Sequence, residues 1–275
     1  MLDRSSLRAA AALVALLGAR GATADEAPLA LARVSLVERG VELEKRGARW
    51  QSAVEGGPLA LGEALRTGPD AVARLELSWM ALTLGPGSLL RFPDALLLKA
   101  VLESGRASID AEVRDALTLV TAEAEVRGRG RAIVRRQGRT TLVTCLSGRY
   151  FVSAARTTVV LSPGEATIAS AGRAATPTRA PLPPPAAGLW PGTDPVYAAP
   201  GEPIELRWQG EAPGYQVELL PVGSEVVLVQ RDVAAPPLRL EVPWEGAFRW
   251  RVSSRDARGV EGPPSQEGLI AIDAR

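Results

Sequence analysis

The chain has 275 residues and a formal net charge of +1, so it is long enough for two compact domains. It contains no histidine and a single cysteine, Cys145. This composition excludes a histidine-dependent catalytic triad, a disulfide within the chain, and cysteine-based zinc or iron–sulfur sites. The nearly neutral charge gives no global field that would attract nucleic acid. We therefore predict that the protein is not an enzyme, uses no cofactor or metal, and does not bind nucleic acid.

The first 24 residues have the pattern of an export signal. Arg4 and Arg8 precede an apolar run from Ala9 to Ala19, and Ala22-Thr23-Ala24 then places small residues where a signal peptidase cleaves. The apolar run is shorter than the roughly 20 residues that a membrane-spanning helix needs. We predict cleavage after Ala24, no permanent membrane anchor, and a mature protein that is periplasmic, cell-surface or secreted.

Residues 32–171 consist of short apolar runs between turn signals such as Thr67-Gly68-Pro69-Asp70 and Ser162-Pro163-Gly164. This spacing is typical of many short β-strands. In Ala73-Arg74-Leu75-Glu76-Leu77 the apolar side chains alternate with charged ones, as in a half-buried strand. The run Leu142 to Leu146 predicts a strand in which Cys145 is buried and unreactive.

Residues 172–195 are rich in proline and predict a linker. Consecutive prolines favour an extended polyproline II conformation, so we expect this segment to hold two modules apart. Residues 196–275 then alternate clearly, with Ile204, Leu206 and Trp208 on one face of a strand and Phe248, Trp250 and Val252 on one face of another. This pattern predicts a β-sandwich with Trp208 and Trp250 in its core. The fold class predicted for the whole chain is all-β.

The first module resembles the FecR domain family. The resemblance rests on Leu61 to Ala71, Leu82 to Ser88, Leu102 to Ala107 and Thr158 to Ile168, in the family's order and spacing, although Gly128-Arg129 stands where the family has Gly-Thr. It implies a β-solenoid-like, β-rich domain outside the cytoplasmic membrane. In founding members this domain helps to relay a signal from an outer-membrane receptor to a sigma factor, and the matching residues here form turns and core, not a catalytic or ligand site.

The second module resembles a fibronectin type III domain, which has an immunoglobulin-like β-sandwich fold. The resemblance rests on Ile204 to Trp208, Tyr215 to Leu219 and Phe248 to Gly259, with Leu269 to Ile272 as the final strand. This resemblance implies the fold of the second module but does not identify a ligand.

A cluster of arginines is the densest concentration of charge in the chain. Guanidinium groups make bidentate contacts with phosphate and carboxylate groups, so this patch predicts binding to an anionic partner. The alternative is an exposed strand edge that charge keeps from pairing with another chain. The cluster consists of Arg127, Arg129, Arg131, Arg135, Arg136 and Arg139.

The sequence also contains residue types of two further chemistries. Carboxylate pairs among Asp110, Glu112 and Asp115, or between Glu123 and Glu125, are the residue types of glycoside hydrolysis, but no supporting motif accompanies them. Scattered surface carboxylates are the simpler interpretation. Gly128-Arg129-Gly130 lacks the spacing of a phosphate-binding loop.

These patterns support three hypotheses about function. The first is a non-catalytic exported envelope protein that binds or scaffolds a protein or cell-wall polymer through its two modules. The second is a FecR-type signalling regulator with an uncleaved N-terminus, and the third is an accessory carbohydrate-active protein. The partner, the physiological process and the oligomeric state stay open at this stage.

Overall fold

The computed structural model describes residues 30–37, 40–46, 48–93, 98–113, 117–172, 176–178 and 182–273. Within these ranges every regular element is a β-strand, which confirms the all-β prediction. The predicted signal peptide lies outside the described residues. The described ranges contain no helix long and apolar enough to cross a membrane.

Sixteen strands form the first module. They are β1 (Ala30–Val37), β2 (Val41–Glu44), β3 (Trp50–Ser52), β4 (Pro58–Ala60), β5 (Ala64–Thr67), β6 (Ala73–Leu77), β7 (Met80–Leu84), β8 (Leu89–Arg91), β9 (Lys99–Ala111), β10 (Thr118–Val120), β11 (Glu125–Gln137), β12 (Thr140–Cys145), β13 (Arg149–Ala154), β14 (Thr157–Leu161), β15 (Glu165–Ser170) and β16 (Thr176–Thr178).

The strands of the first module form two layers. One layer has the antiparallel order β4-β1-β6-β7-β9-β11-β12-β15-β16. The other has the order β3-β2-β5-β8-β9-β10-β11-β13-β14, in which only β9 and β10 run parallel. Alternation of apolar and polar residues, as in the predicted strand β6, directs one face of each layer toward a shared core.

The long strands β9 and β11 belong to both layers. Each changes layer at a glycine, Gly105 with a φ of 89° and Gly130 with a φ of 93°. Glycine adopts this left-handed conformation readily because it has no Cβ, so the two residues allow the strands to bend from one layer into the next. The core between the layers includes Leu75, Leu102 and Tyr150, all almost completely buried.

The second module is a two-sheet sandwich. Its strands are β17 (Ala187–Trp190), β18 (Val196–Ala198), β19 (Pro203–Gln209), β20 (Gly214–Pro221), β21 (Val229–Val233), β22 (Leu238–Glu241), β23 (Gly246–Arg255), β24 (Glu261–Pro264) and β25 (Gly268–Ile272). One sheet has the order β17-β19-β22 and the other β18-β25-β23-β20-β21, with β24 paired to β23. Trp208 and Trp250 lie in the core with ring centroids 6.4 Å apart, as the alternation predicts.

The proline-rich segment does not separate the modules. Its strand β16 pairs with β15 of the first module, whereas β17 pairs with β19 of the sandwich. Leu182 packs with Leu142, Ala166 and Val260 in a small apolar cluster between the two modules. The expectation of modules held apart is therefore wrong, because apolar side chains and complementary charges on the facing surfaces bring them into contact.

Candidate functional site: arginines on the outer face and at the module junction

The long strand β11 carries five of the six predicted patch arginines, and Arg139 follows in the turn to β12. In one layer β11 is paired on both sides, by β9 and β12, over residues 132–136. In the other layer β13 pairs with residues 125–129, but β10 pairs only with residues 125 and 126. The interpretation as an exposed strand edge is therefore wrong for Arg135 and Arg136, whereas Arg127 and Arg129 have β13 as their one strand partner among the described residues. The bend at Gly130 also divides the cluster, so the six arginines do not form one surface.

Arg127 and Arg129 lie on the exposed side of β11, whereas Arg131 and Arg139 lie beyond the bend at Gly130. Val126 and Gly128, the residues that alternate with the first two arginines, are buried. Arg131 is exposed beyond the bend, and its backbone N–H donates to the Ser147 hydroxyl at 3.0 Å. Arg139 is exposed in the turn.

The pairing of β11 with β13 adds a further arginine to the exposed side. Arg129 lies directly opposite Arg149, and Arg127 lies opposite Phe151. Arg149 is exposed and Phe151 is half-buried. None of the three arginines forms an ion pair with a described residue. We name this surface, made of Arg127, Arg129, Arg149 and Phe151, the outer basic face.

Close contact between the two backbones fixes the outer basic face. A Cβ atom added at Gly128 would overlap the carbonyl oxygen of Arg149, and one at Gly148 would overlap that of Arg129. The buried Tyr150 hydroxyl donates a hydrogen bond to the Gly130 carbonyl oxygen at 2.7 Å. These glycines therefore serve strand packing, and they hold Arg129 and Arg149 side by side on a rigid sheet.

A buried ion pair joins the two modules. Arg106 on β9 donates from Nε to Glu261 Oε2 at 3.0 Å and from Nη2 to Glu261 Oε1 at 2.7 Å, so the contact is bidentate. Glu218 on β20 lies 3.5 Å from Arg106 Nη2 and also accepts from Arg251 Nε at 2.8 Å. The three residues that form these contacts are each less than 9% exposed: Arg106, Glu218 and Glu261.

Electrostatics keeps the buried pair charged. Burial favours the neutral form of each group, but the attraction between the partners is stronger. Burial opposes ionisation of Glu261, yet the charge of Arg106 holds the pKa of this carboxyl below its usual range. Burial likewise opposes the charge of Arg106, and Glu261 and Glu218 together raise its pKa.

Arg135 also bridges the modules. Its Nη1 donates to Asp232 Oδ2 at 3.0 Å and its Nη2 donates to Gln216 Oε1 at 3.2 Å. Arg255 Nη1 donates to the same Asp232 oxygen at 2.8 Å. Burial opposes ionisation of Asp232, but the hydrogen bond from Arg135 lowers the pKa of this carboxyl. A cleft of about 550 Å³ between the modules is lined in part by Arg135, Gln216 and Asp232.

Arg136 is held inside the first module. It makes a bidentate contact with Glu123, from Nε to Oε2 at 2.9 Å and from Nη2 to Oε1 at 3.1 Å. The Thr141 hydroxyl also donates to Glu123 at 2.9 Å. Burial opposes ionisation of Glu123, but hydrogen bonds from Arg136 and Thr141 lower its pKa. Arg136 therefore neutralises a buried carboxylate and is not free to bind a partner.

Glu123 and Glu125, one of the candidate carboxylate pairs, contact different cations. Glu123 is bound to Arg136, and Glu125 forms an ion pair with Lys99 at 3.2 Å. Asp110 and Glu112 are exposed, and Asp115 lies outside the described residues. Cys145 is fully buried, and burial followed by the charge of Glu165 raises the pKa of its thiol to about 11.

Comparison with known proteins gives no family for this chain. No family model matches it, and no protein of curated function matches it. Similar solved structures include two of a proposed anti-sigma factor from Parabacteroides distasonis ATCC 8503, which are 16% and 17% identical with TM-scores of 0.35. The alignments cover 42% of this chain and 59% of that protein, so the chain spans less than two thirds of its length.

Sequence reasoning missed two arginines that the structure makes important. Arg149 is separated from the cluster by the β12 strand, and only the register of β13 on β11 places it beside Arg129. Arg106 lies in an ordinary alternating segment, and its partner Glu261 is 155 positions away. The glycines Gly128 and Gly130 in one strand, and Gly148 just before another, are the sequence signal that could have indicated two strands in close contact.

Proposed function

We propose that this chain is a non-catalytic exported protein of the cell envelope that binds an anionic cell-wall polymer through the outer basic face. The proposal rests on one observation, the position of Arg129 directly opposite Arg149, both exposed and neither ion-paired with a described residue. Like charges opposite each other on adjacent strands destabilise a sheet. An anion bound between the two guanidinium groups removes that repulsion and gains charge-assisted hydrogen bonds.

The composition of the face favours a polymer over a small ligand. Arg127 and Arg129 are two residues apart on one strand, so their side chains leave the sheet about 7 Å from each other. Arg149 adds a third charge opposite Arg129, and the half-buried Phe151 lies opposite Arg127. An extended chain of phosphate or carboxylate groups can contact all three cations at once.

The two modules provide the scaffold for this surface. The junction contacts of Arg106 and Arg135 tie the sandwich to the first module, so the outer basic face is presented by a body of fixed shape. The sequence resemblance to FecR and fibronectin type III domains supports a role outside the cytoplasm. In this proposal the second module acts as a spacer or a second contact.

Co-sedimentation with purified peptidoglycan that retains its anionic polymers tests the binding. We expect the protein to pellet with the sacculi and the double variant Arg129→Glu/Arg149→Glu to bind at least tenfold more weakly, which corresponds to about 1.4 kcal/mol. Arg49→Glu/Arg239→Glu makes the same charge change at exposed positions outside the face and serves as the control. Equal binding by the two double variants would refute the assignment of this face.

Export is tested separately. Full-length chain expressed in a Gram-negative host should yield a mature N-terminus at Asp25 by intact-mass spectrometry of the periplasmic fraction. An intact Met1 in the cytosol would contradict export, and an intact Met1 in the membrane fraction would favour the signalling regulator.

A further inference from the structure

The strand β14 lies at an edge of its layer. Its only strand partner among the described residues is β13. Val159 and Leu161 anchor β14 in the core, with exposures of 8% and 2%, whereas Thr158 and Val160 face outward and Val160 is 47% exposed. The strand is therefore held firmly on its inner side, and no strand among the described residues pairs with its other edge.

Edge strands of soluble proteins usually carry features that block pairing with another chain, such as proline, charge or very short length. The other edges of the first module follow this rule, since β4 and β16 contain proline and β3 has three residues. β14 has five residues, Thr157-Thr158-Val159-Val160-Leu161, with no proline and no charge. Threonine and valine also have high β-propensity.

We propose that β14 pairs antiparallel with β14 of a second copy of this chain, so that the protein forms a two-fold symmetric dimer. A two-fold axis through Val159 places this residue opposite itself and Thr158 opposite Val160 of the copy. Each outward valine then packs against a threonine, and no charged residue faces another across the new pair. Such an isologous contact closes after two copies.

Charge spacing is compatible with a second copy as the occupant, and the match of Thr158 with Val160 across the pair favours it. Arg149 lies on β13, the strand next to β14. Because Tyr150 pairs with Leu161, Arg149 is displaced from Val159 by about three residues along the strand direction. With strands about 4.8 Å apart and residues about 3.4 Å apart, the Arg149 residues of the two copies are about 25 Å from each other. This distance exceeds the Debye length of about 8 Å at physiological salt, so the two basic faces do not repel strongly.

The dimer has a consequence for binding. Because the axis is perpendicular to the sheet, both outer basic faces lie on the same side of one continuous sheet. A polymer that contacts one face can reach the second without leaving the surface, which raises the overall affinity through effective concentration. The dimer itself depends only on β14 and stands whether or not the polymer is the ligand.

Sedimentation velocity of the purified full-chain protein tests the proposal over protein concentrations from about 1 to 200 μM. We expect a shift from one to two copies as concentration rises. Val160→Lys places two lysines about 8 Å apart across the pair, and we expect the dissociation constant to rise at least tenfold. Val222→Lys makes the same change at a residue that is 54% exposed in the second module and should dimerise like the parent.

Both variants are checked for folding by the midpoint of urea unfolding, which should match that of the parent within error. A protein that stays monomeric at every concentration would overturn the proposal. Dimerisation of the Val160→Lys variant as strong as that of the Val222→Lys variant would also overturn it, because the contact would then lie elsewhere.

Discussion

Arg106 and Glu261 are 155 positions apart in the chain and share two hydrogen bonds of 2.7 and 3.0 Å at the junction of the two modules. Glu261 is 3% exposed and Arg106 is 5% exposed. The contact is therefore shielded from water, and it connects β9 of the first module to β24 of the second.

Removing one partner of this pair should destabilise the protein strongly. Arg106→Ala leaves the Glu261 carboxylate buried without its main partner, and we expect a loss of about 3 kcal/mol or more in the free energy of unfolding. Urea denaturation followed by tryptophan fluorescence measures it. Arg239→Ala, which removes an exposed cation 3.6 Å from Glu205, is the control and should change stability little. A similar small effect for Arg106→Ala would contradict the role of the junction pair.

The free energy of unfolding should fall with acidification because of the junction carboxylates Glu261 and Asp232. The pKa of Glu261 is below its ordinary value of 4.5 in the folded protein, and that of Asp232 is also lowered. The unfolded chain then binds protons at a higher pH than the folded one, so the contribution is complete at neutral pH and is lost as the pH drops below about 5.5 through the folded pKa.

Urea midpoints measured from about pH 7 to about pH 3 test this pH dependence. The variant Glu261→Gln, which cannot ionise, should be less stable at pH 7 and show a flatter decline with acid. An unchanged slope in this variant would show that other groups produce the acid sensitivity.

Two glycines with positive φ should respond differently to alanine. Gly148→Ala adds a Cβ that overlaps the Arg129 carbonyl oxygen, whereas Gly164→Ala adds one with no other atom within 4 Å. The strained backbone should lower the free energy of unfolding of both variants by about 1 kcal/mol. The atomic overlap should lower that of Gly148→Ala by about 1–3 kcal/mol more. Thermal unfolding of both variants gives the comparison, and equal losses would mean that β11 and β13 are not in close contact there.

The thiol of Cys145 should be unreactive in the folded protein. Burial raises its pKa to about 11, so thiolate is scarce at mildly alkaline pH, and no exposed surface admits a reagent. We expect slow reaction with a thiol-specific disulfide reagent in buffer and complete reaction in denaturant. Rapid labelling without denaturant would show that β12 opens readily.

Local patterns were sufficient to predict much of the secondary structure. Alternation in Ala73 to Leu77 and in Ile204 to Trp208 predicted strands that the structure contains as β6 and β19. The same reasoning placed Trp208 and Trp250 in the sandwich core, where they are 4% and 0% exposed. These predictions succeed because a half-buried strand requires apolar and polar residues to alternate, and this alternation is visible in neighbouring residues of the sequence.

The candidate site was only partly predictable. Proximity in sequence grouped Arg127 and Arg129 with Arg135 and Arg136, but the bend at Gly130 leaves the first two on the outer basic face. The other two are turned toward the carboxylates Asp232 and Glu123. A basic run in a sequence therefore did not correspond to one basic surface.

The sequence by itself determined that the protein is built of β-strands and that it lacks histidine chemistry. Only the tertiary structure decided which charges are free and whether the modules touch. The reason is physical: strand alternation depends on adjacent residues, whereas the ion pair of Arg106 with Glu261 and the opposition of Arg129 to Arg149 depend on sheet register and module packing. Those contacts join residues that are distant in the chain, and no local pattern specifies them.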